Sequence, residues 1–391
     1  MLRTKQTKFF VAIVVCVGVC SIFNQHWWMR WLEPLGLTKQ QYNIAGQITS
    51  KTFLTRNDVK HIIVDNEKDC KNRRFLVFQC SSSCGGWGDR QKGSVSAFLL
   101  SLMTSRSFII NITTPCDVEN ILKPAMYNWT MCKRYVQETL NKDPTRNLPL
   151  GWTNGHVIYR DRIKEYESLW NTQIVTINLN FYILDEIREF RLAENRLQWV
   201  FDTIDSEVIR MILQALYAPR LRLSSELNNY IHKMTKNGQM LVCNHIRTGR
   251  NPTIPHDTEQ RFYDLSTIFN FLEQYHDVSK YVIYVASDSD SVRDAAAKRF
   301  KNFANLNRKI IHVDRFDEVE TPNDLCEGFY TALFEQYILS RCDVLVLTRS
   351  NFGCLAAYLR GKSEGLFIYD KDKDLIIPSN LTNVQTVYNF D

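Results

Sequence analysis

Residues 241–255 of this 391-residue chain read LVCNHIRTGRNPTIP, an apolar run that passes directly into His245-Ile246-Arg247 and then Gly249. The planar guanidinium of Arg247 suits two-pronged contact with a phosphate. His245 lies two residues earlier, so on an extended segment both side chains point the same way. A buried strand that ends in fixed cationic and glycine chemistry is where an open α/β sheet keeps an anion site. In isolation such an arginine would read as a surface ion pair and such a histidine as a satisfied core residue, and the strand context favours the site. Three other segments are loaded in the same manner. In Cys84-Gly85-Gly86-Trp87-Gly88-Asp89-Arg90, the glycines Gly86 and Gly88 let backbone approach a ligand, and a following helix offers its N-terminus to an anion; a tight turn would need glycines too. In Ala286-Ser287-Asp288-Ser289-Asp290, Asp288 can accept from ribose hydroxyls or a base N–H, can cap a helix, or can join Asp290 in holding a divalent ion against a diphosphate. In Thr348-Arg349-Ser350-Asn351-Phe352-Gly353, hydroxyls and backbone N–H groups form an anion cradle to which Arg349 adds a charge, although Ser350 would serve equally as an N-cap. The chain has no cysteine–histidine metal cluster, Walker loop or Gly-x-Ser-x-Gly elbow, so a nucleoside diphosphate fits these segments better than hydrolase chemistry does.

The elements that must position these residues follow from periodicity. A strand at 75–78, a small-residue loop at 81–88, a helix at 93–103 and a strand at 108–112 make a β-loop-α-β unit. Between 113 and 235 the pattern is less regular, with an extended stretch at 174–183 and helical spacing over 192–217. From 240 onward strands (240–246, 281–286, 309–313, 344–347, 366–369) alternate with helices (264–275, 290–300, 325–340, 352–360). Such alternation specifies a parallel, doubly wound sheet. The expected architecture is α/β, with two Rossmann-like lobes, 71–235 and 236–391, and a cleft between them.

Arg3, Lys5 and Lys8 precede a run of 21 uncharged positions that ends at Arg30. That run is about 30 Å long as a helix, enough to cross a bilayer, and Trp27, Trp28 and Trp31 stand where an interfacial belt belongs. The reading is a cytoplasmic tail at 1–8, a transmembrane signal anchor at 9–29, a stem at 30–70 and a lumenal remainder. A cleaved signal peptide is the rival, but no clear small-x-small site follows Phe23. In a lumen the triplets at Asn111, Asn128 and Asn380 are N-glycan acceptors, whereas Asn251-Pro252-Thr253 is excluded by its proline. Nine of the 11 cysteines lie beyond the span, an odd number, so at least one is free or paired between chains. Cys116 with Cys132 reads as a local staple, and Cys243 as a buried small hydrophobe. The formal charge of +6 comes without a long basic block, which argues against a nucleic-acid partner. At 45% apolar residues the composition supports one large or two medium cores.

In the order glycine loop, His-x-Arg, Val-Ala-Ser-Asp and Ser-x-Phe-Gly, the chain resembles the superfamily of GDP-fucose-dependent α1,2-, α1,6- and protein O-fucosyltransferases, type II Golgi or lumenal enzymes of GT-B-like fold. The resemblance covers about 74–365 in motif order and is sparse between motifs. It implies an N-terminal acceptor lobe bearing the glycine loop and a C-terminal nucleotide-sugar lobe. It implies that Arg247 meets the β-phosphate of GDP-fucose with His245 as its motif partner, that Asp288 meets the guanosine, and that Arg349, Ser350 and Phe352 belong to the phosphate clamp. Asp89 stands where the family has an asparagine that touches donor or acceptor, and Arg250 where it has an acid, which puts the acceptor class and activity in question. The implied reaction is inverting fucosyl transfer to a glycan or glycoprotein without a metal cofactor, with Arg247 stabilising the leaving group and Asp89, His256 and Asp257 as candidate bases. Two other readings stay open: a metal-dependent glycosyltransferase using Asp288 and Asp290, and an inactive lumenal protein that binds a GDP-sugar or glycan.

Overall fold

The buried runs and helical spacings resolve into two large sheets and one two-stranded antiparallel pair. A computed structural model describes residues 67–82, 84–150, 171–189, 191, 194–250, 264–314 and 321–384. The expected tail and anchor, most of the stem, and the base candidates His256 and Asp257 lie outside them. Among the described residues no helix is long and apolar enough to cross a membrane.

The chain begins with β1 (Phe75–Cys80), α1 (Trp87–Met103) and β2 (Ser107–Ile112), the expected β-loop-α-β unit. It continues through β3 (Leu122–Pro124), α2 (Lys133–Lys142), β4 (Asn147–Leu150), β5 (Ile174–Ile177), α3 (Leu184–Glu189), α4 (Glu194–Phe201), α5 (Asp205–Leu216), β6 (Tyr217–Pro219) and α6 (Leu221–Met234). The remainder is β7 (Met240–Ile246), α7 (Leu265–Leu272), β8 (Tyr281–Ser287), α8 (Asp290–Arg299), β9 (Phe303–Ala304), α9 (Pro322–Leu339), β10 (Val344–Leu347), α10 (Asn351–Arg360), β11 (Leu366–Asp370) and β12 (Leu375–Pro378). The first sheet has the order β2-β1-β5-β4 and is parallel throughout. The second has the order β12-β11-β10-β7-β8-β9 and is parallel except for β12. In that sheet the chain leaves β7 toward β8 and β9, then crosses back to β10 and β11. The strand order therefore reverses between β7 and β10, and in the first sheet between β1 and β5.

β7 shows why its sequence is nearly all apolar. It lies between β8 and β10, and alternate side chains feed different cores: Leu241 and Cys243 join one cluster, Val242 and Ile246 another. The larger cluster holds Leu76 and Phe78 of β1, Leu99 of α1, Ile209 of α5, Leu345 of β10 and Leu355 of α10, so both sheets rest on one continuous core. All described residues belong to one compact unit, Leu54–Asp391.

Several expectations are corrected. The strand expected at 309–313 does not form: Ile310, Ile311 and Val313 are buried by packing, Ile311 directly against Gly328 of α9, and the sheet edge is the two-residue β9. The helix expected from 93 begins at Trp87, six residues earlier, which shortens the glycine loop. The extended stretch at 174–183 is a strand only to Ile177, and the helical stretch at 192–217 is two helices, broken between Phe201 and Asp205. Cys116 pairs with Cys326 and Cys132 with Cys70, not with each other; Cys243 is buried as expected but is bonded to Cys342, and Cys80 to Cys84. Cys70, at the expected end of the stem, is thereby tied to α2. Eight cysteines in four bridges leave the buried Cys354 free among the described residues, which accounts for the odd number. Of the three triplet asparagines, Asn128 is exposed, whereas the amide of Asn111 is held by Gln79 within the sheet.

Candidate functional site

The loop after β7 is held by a carboxylate. Asp288, just beyond β8, accepts from Thr248 N at 2.7 Å, Thr248 Oγ1 at 3.1 Å and Gly249 N at 2.7 Å, and forms an ion pair with Arg247 Nη1. The Arg247 and Asp288 side chains are 17% and 12% exposed, so the pair works largely out of water. From β10, Thr348 Oγ1 accepts from Arg247 N at 2.9 Å and donates to His245 O at 3.1 Å. Arg247 is thus fixed from both sides of β7, its guanidinium by Asp288 beyond β8 and its backbone N–H by Thr348 beyond β10. Asp290 is exposed in the first turn of α8.

α10 packs its first turn onto the same place. The Phe352 ring lies 5.3 Å from that of His245, and a Cβ on Gly353 would stand 2.8 Å from His245 Nδ1, so only glycine lets α10 come this close. Ser350 is the buried N-cap residue of α10, with no side-chain capping bond, and Arg349 beside it is exposed. Arg250 is also exposed, and its N–H donates to Thr248 Oγ1 at 3.2 Å.

The glycine loop meets α10 directly. A Cβ on Gly88 would lie 2.9 Å from Phe352 N, so the first turns of α1 and α10 touch through backbone. Asp89 joins them: its carboxylate accepts from Gly86 N at 3.1 Å and Asn351 Nδ2 at 3.1 Å, and pairs with Lys92 at 3.4 Å. That carboxylate is already committed to capping α1 and bridging to α10. The whole arrangement places Gly86, Gly88, Asp89, His245, Arg247, Asp288, Ser350 and Phe352 in one connected neighbourhood.

Three contributors were not singled out from the sequence. Arg90, fully buried, donates from Nε to Gly85 O at 2.9 Å and from its terminal nitrogens to Thr114 O, Val313 O and Asp314. Burial lowers its pKa, with Asp314 opposing. Asp314 also accepts from Cys84 N at 2.7 Å, so the segment that failed to become a strand instead anchors the glycine loop. Gln336 of α9 bonds to Trp87 and Gln91 of α1. The available signal was polarity within an apolar helical run, which Gln336 gives inside the helix expected at 325–340; Arg90 and Gln91 precede the helix expected from 93.

With a strand-order reversal at β7 and β10, the crevice beyond their carboxyl ends is the binding position that an open α/β sheet provides. The two helix N-termini that converge there turn their first-turn backbone N–H groups and positive dipole ends toward an anion. Among the described residues no group of three or more His, Cys, Asp and Glu is placed to hold a metal ion.

No family model and no curated protein matches this sequence. Among solved structures, the chain is similar to a mutant of Arabidopsis thaliana FUT1 in complex with GDP, with a TM-score of 0.52 and 14% identity over 85% of this chain and 78% of that one. Weaker likenesses are the fucosyltransferase NodZ from Bradyrhizobium (TM-score 0.46, 13% identity, 79% and 99% covered) and POFUT1 in complex with GDP (0.42, 14%, 73% and 95%). At this identity the first establishes a shared α/β fold of GT-B-like kind, and the other two add no argument.

Proposed function

We propose that the chain is a glycosyltransferase that moves fucose from GDP-fucose to a hydroxyl of a glycan or glycoprotein, with inversion and without a required metal. The observation that carries this reading is the position of Arg247: at the β7–β10 reversal, held by Asp288 and Thr348, and two residues from His245, against which the start of α10 packs. The presence of GDP in the structure of FUT1, which shares the fold, supports it. Breaking the sugar–phosphate bond leaves an oxocarbenium-like sugar and a diphosphate of growing negative charge. Arg247 and the N–H groups of α10 would meet that charge, with Ser350 and Phe352 in the clamp and Arg349 at its edge. Gly86, open on the side a Cβ would take, gives the donor access to the start of α1, whereas Gly88 lets α1 and α10 meet. Asp288, its oxygens taken by loop donors, acts on the donor through Arg247, and the same occupancy disfavours a metal bridge through Asp288 and Asp290.

A type II Golgi location with a lumenal catalytic unit completes the reading. Four disulfides among the described residues support an oxidising compartment.

The test uses the full chain in detergent with GDP-fucose and an acceptor panel, in EDTA. Transfer that persists in EDTA and disappears in Arg247→Ala is expected. Strict manganese dependence would overturn the metal-free mechanism, and GDP binding without transfer to any acceptor would favour the inactive lumenal binding protein.

A further inference from the structure

Gln336 belongs to α9, outside all four strand-end segments, yet its one amide reaches the first turns of both helices at the candidate site. Its Oε1 accepts from Trp87 Nε1 at 2.8 Å and Gln91 Nε2 at 3.0 Å. Its Nε2 donates to Gln91 Oε1 at 2.8 Å and to the Phe352 carbonyl at 3.4 Å. The residue is 1% exposed, so these partners replace water entirely. Trp87 and Gln91 flank Gly88 on α1, and Phe352 is the second residue of α10, so the bonds span the point where the two helices touch.

The chemistry needs an amide. Two acceptor bonds and two donor bonds are made at one neutral head group, which an ionised glutamate cannot supply and a leucine lacks altogether. Trp87, Gln91 and Gln336 line a pocket of about 350 Å³ whose other walls include Leu213 and Leu333, and the Trp87 ring also packs edge-on against Tyr217 and Phe329. Two helices that meet start to start bring like partial charges together, which the Asp89 carboxylate between them offsets in part.

We propose that Gln336 is a positioning residue for the donor site, holding the starts of α1 and α10 at the spacing at which both present N–H groups to one diphosphate. This rests on the nucleotide-sugar reading above. Gln336 itself touches no donor atom; it acts through Trp87, Gln91 and Phe352.

The experiment titrates GDP calorimetrically into the full chain in detergent and into three variants, Gln336→Leu, Gln336→Glu and Tyr284→Phe. Tyr284 is the control, because its hydroxyl donates to Glu335, the neighbouring residue of α9, at 2.9 Å but reaches neither helix start. GDP affinity is expected to fall by about tenfold or more in both Gln336 variants, equivalent to the loss of one or two buried hydrogen bonds, while Tyr284→Phe lowers the melting temperature and leaves GDP affinity unchanged. In Gln336→Glu the affinity should recover, relative to the unaltered chain, as pH falls and the carboxyl regains a donor; this arm stands even where Gln336→Leu does not fold. Unchanged GDP affinity in the folded Gln336 variants overturns the inference, as does an equal loss in Tyr284→Phe at matched melting temperature. Absence of GDP binding by the unaltered chain overturns the nucleotide-sugar reading, and the inference with it.

Discussion

Asn351 donates its side-chain amide to Asp89 at 3.1 Å, joining the first turn of α10 to the first turn of α1 across 262 positions of sequence. With Gly86 N and Lys92 as its other partners, Asp89 is a fixed anion between two positive helix ends.

Asp89 is therefore expected to act as a cap and spacer, not as the base that takes the acceptor proton. Asp89→Asn should raise the donor KM and lower kcat by less than about tenfold, whereas loss of a general base costs about 10²–10⁴-fold in kcat. Steady-state kinetics with both substrates varied decides between the two.

Arg247 and Asp288 should behave as a unit. Removing one member of a buried, hydrogen-bonded ion pair costs about 3–5 kcal/mol because the other is left uncompensated. Arg247→Ala and Asp288→Ala should each abolish GDP binding, and in melting experiments the double variant should be less unstable than the two single losses added together. Strict additivity would mean that Asp288 does not work through Arg247.

Close backbone approach makes two glycines sensitive to a single methyl group. In Gly353→Ala the new Cβ meets His245 Nδ1 at 2.8 Å and Leu347 Cδ2 at 3.0 Å, and in Gly88→Ala it meets Phe352 N at 2.9 Å. Each should cost about 1–3 kcal/mol of stability by overpacking, despite the higher helix propensity of alanine, and should weaken GDP binding. A neutral or stabilising Gly88→Ala would show that α1 and α10 are not in contact.

Peptide mapping of the unreduced chain should recover Cys70–Cys132, Cys80–Cys84, Cys116–Cys326 and Cys243–Cys342. Burial pushes the Cys354 thiol up to about 12, so near pH 8 it stays protonated and out of reach of alkylating reagents until the chain unfolds. Labelling of the native protein at Cys354 would contradict this. Removing Cys116–Cys326, which closes a 210-residue separation, should cost about 5 kcal/mol on the chain-entropy account.

The alternation from 240 onward was legible because strands buried on both faces are apolar throughout, while helices keep a 3.6-residue period; hence β7, β8, β10 and β11 fall where periodicity puts them. His245 and Arg247 were legible because a strand end is a position that sequence can locate. Residues 309–313 misled because Ile310, Ile311 and Val313 are buried without pairing, and a single-sequence pattern reports burial more directly than hydrogen bonding. Arg90, Asp314 and Gln336 stayed hidden for a different reason: each has a partner more than 200 positions away in sequence. Disulfide pairing has the same character, and local spacing favoured Cys116 with Cys132 although neither partner is local.

The Cys116–Cys326 bridge also bears on how the chain is made. Cys243–Cys342 begins inside its loop and ends outside it, so the two closures interlock in sequence. While a ribosome builds the chain, Cys116 must wait until residue 326 emerges, with Cys132 and Cys243 already present as wrong partners. Any bond that Cys116 forms in that interval is provisional, and reaching the native set then depends on exchange as much as on oxidation.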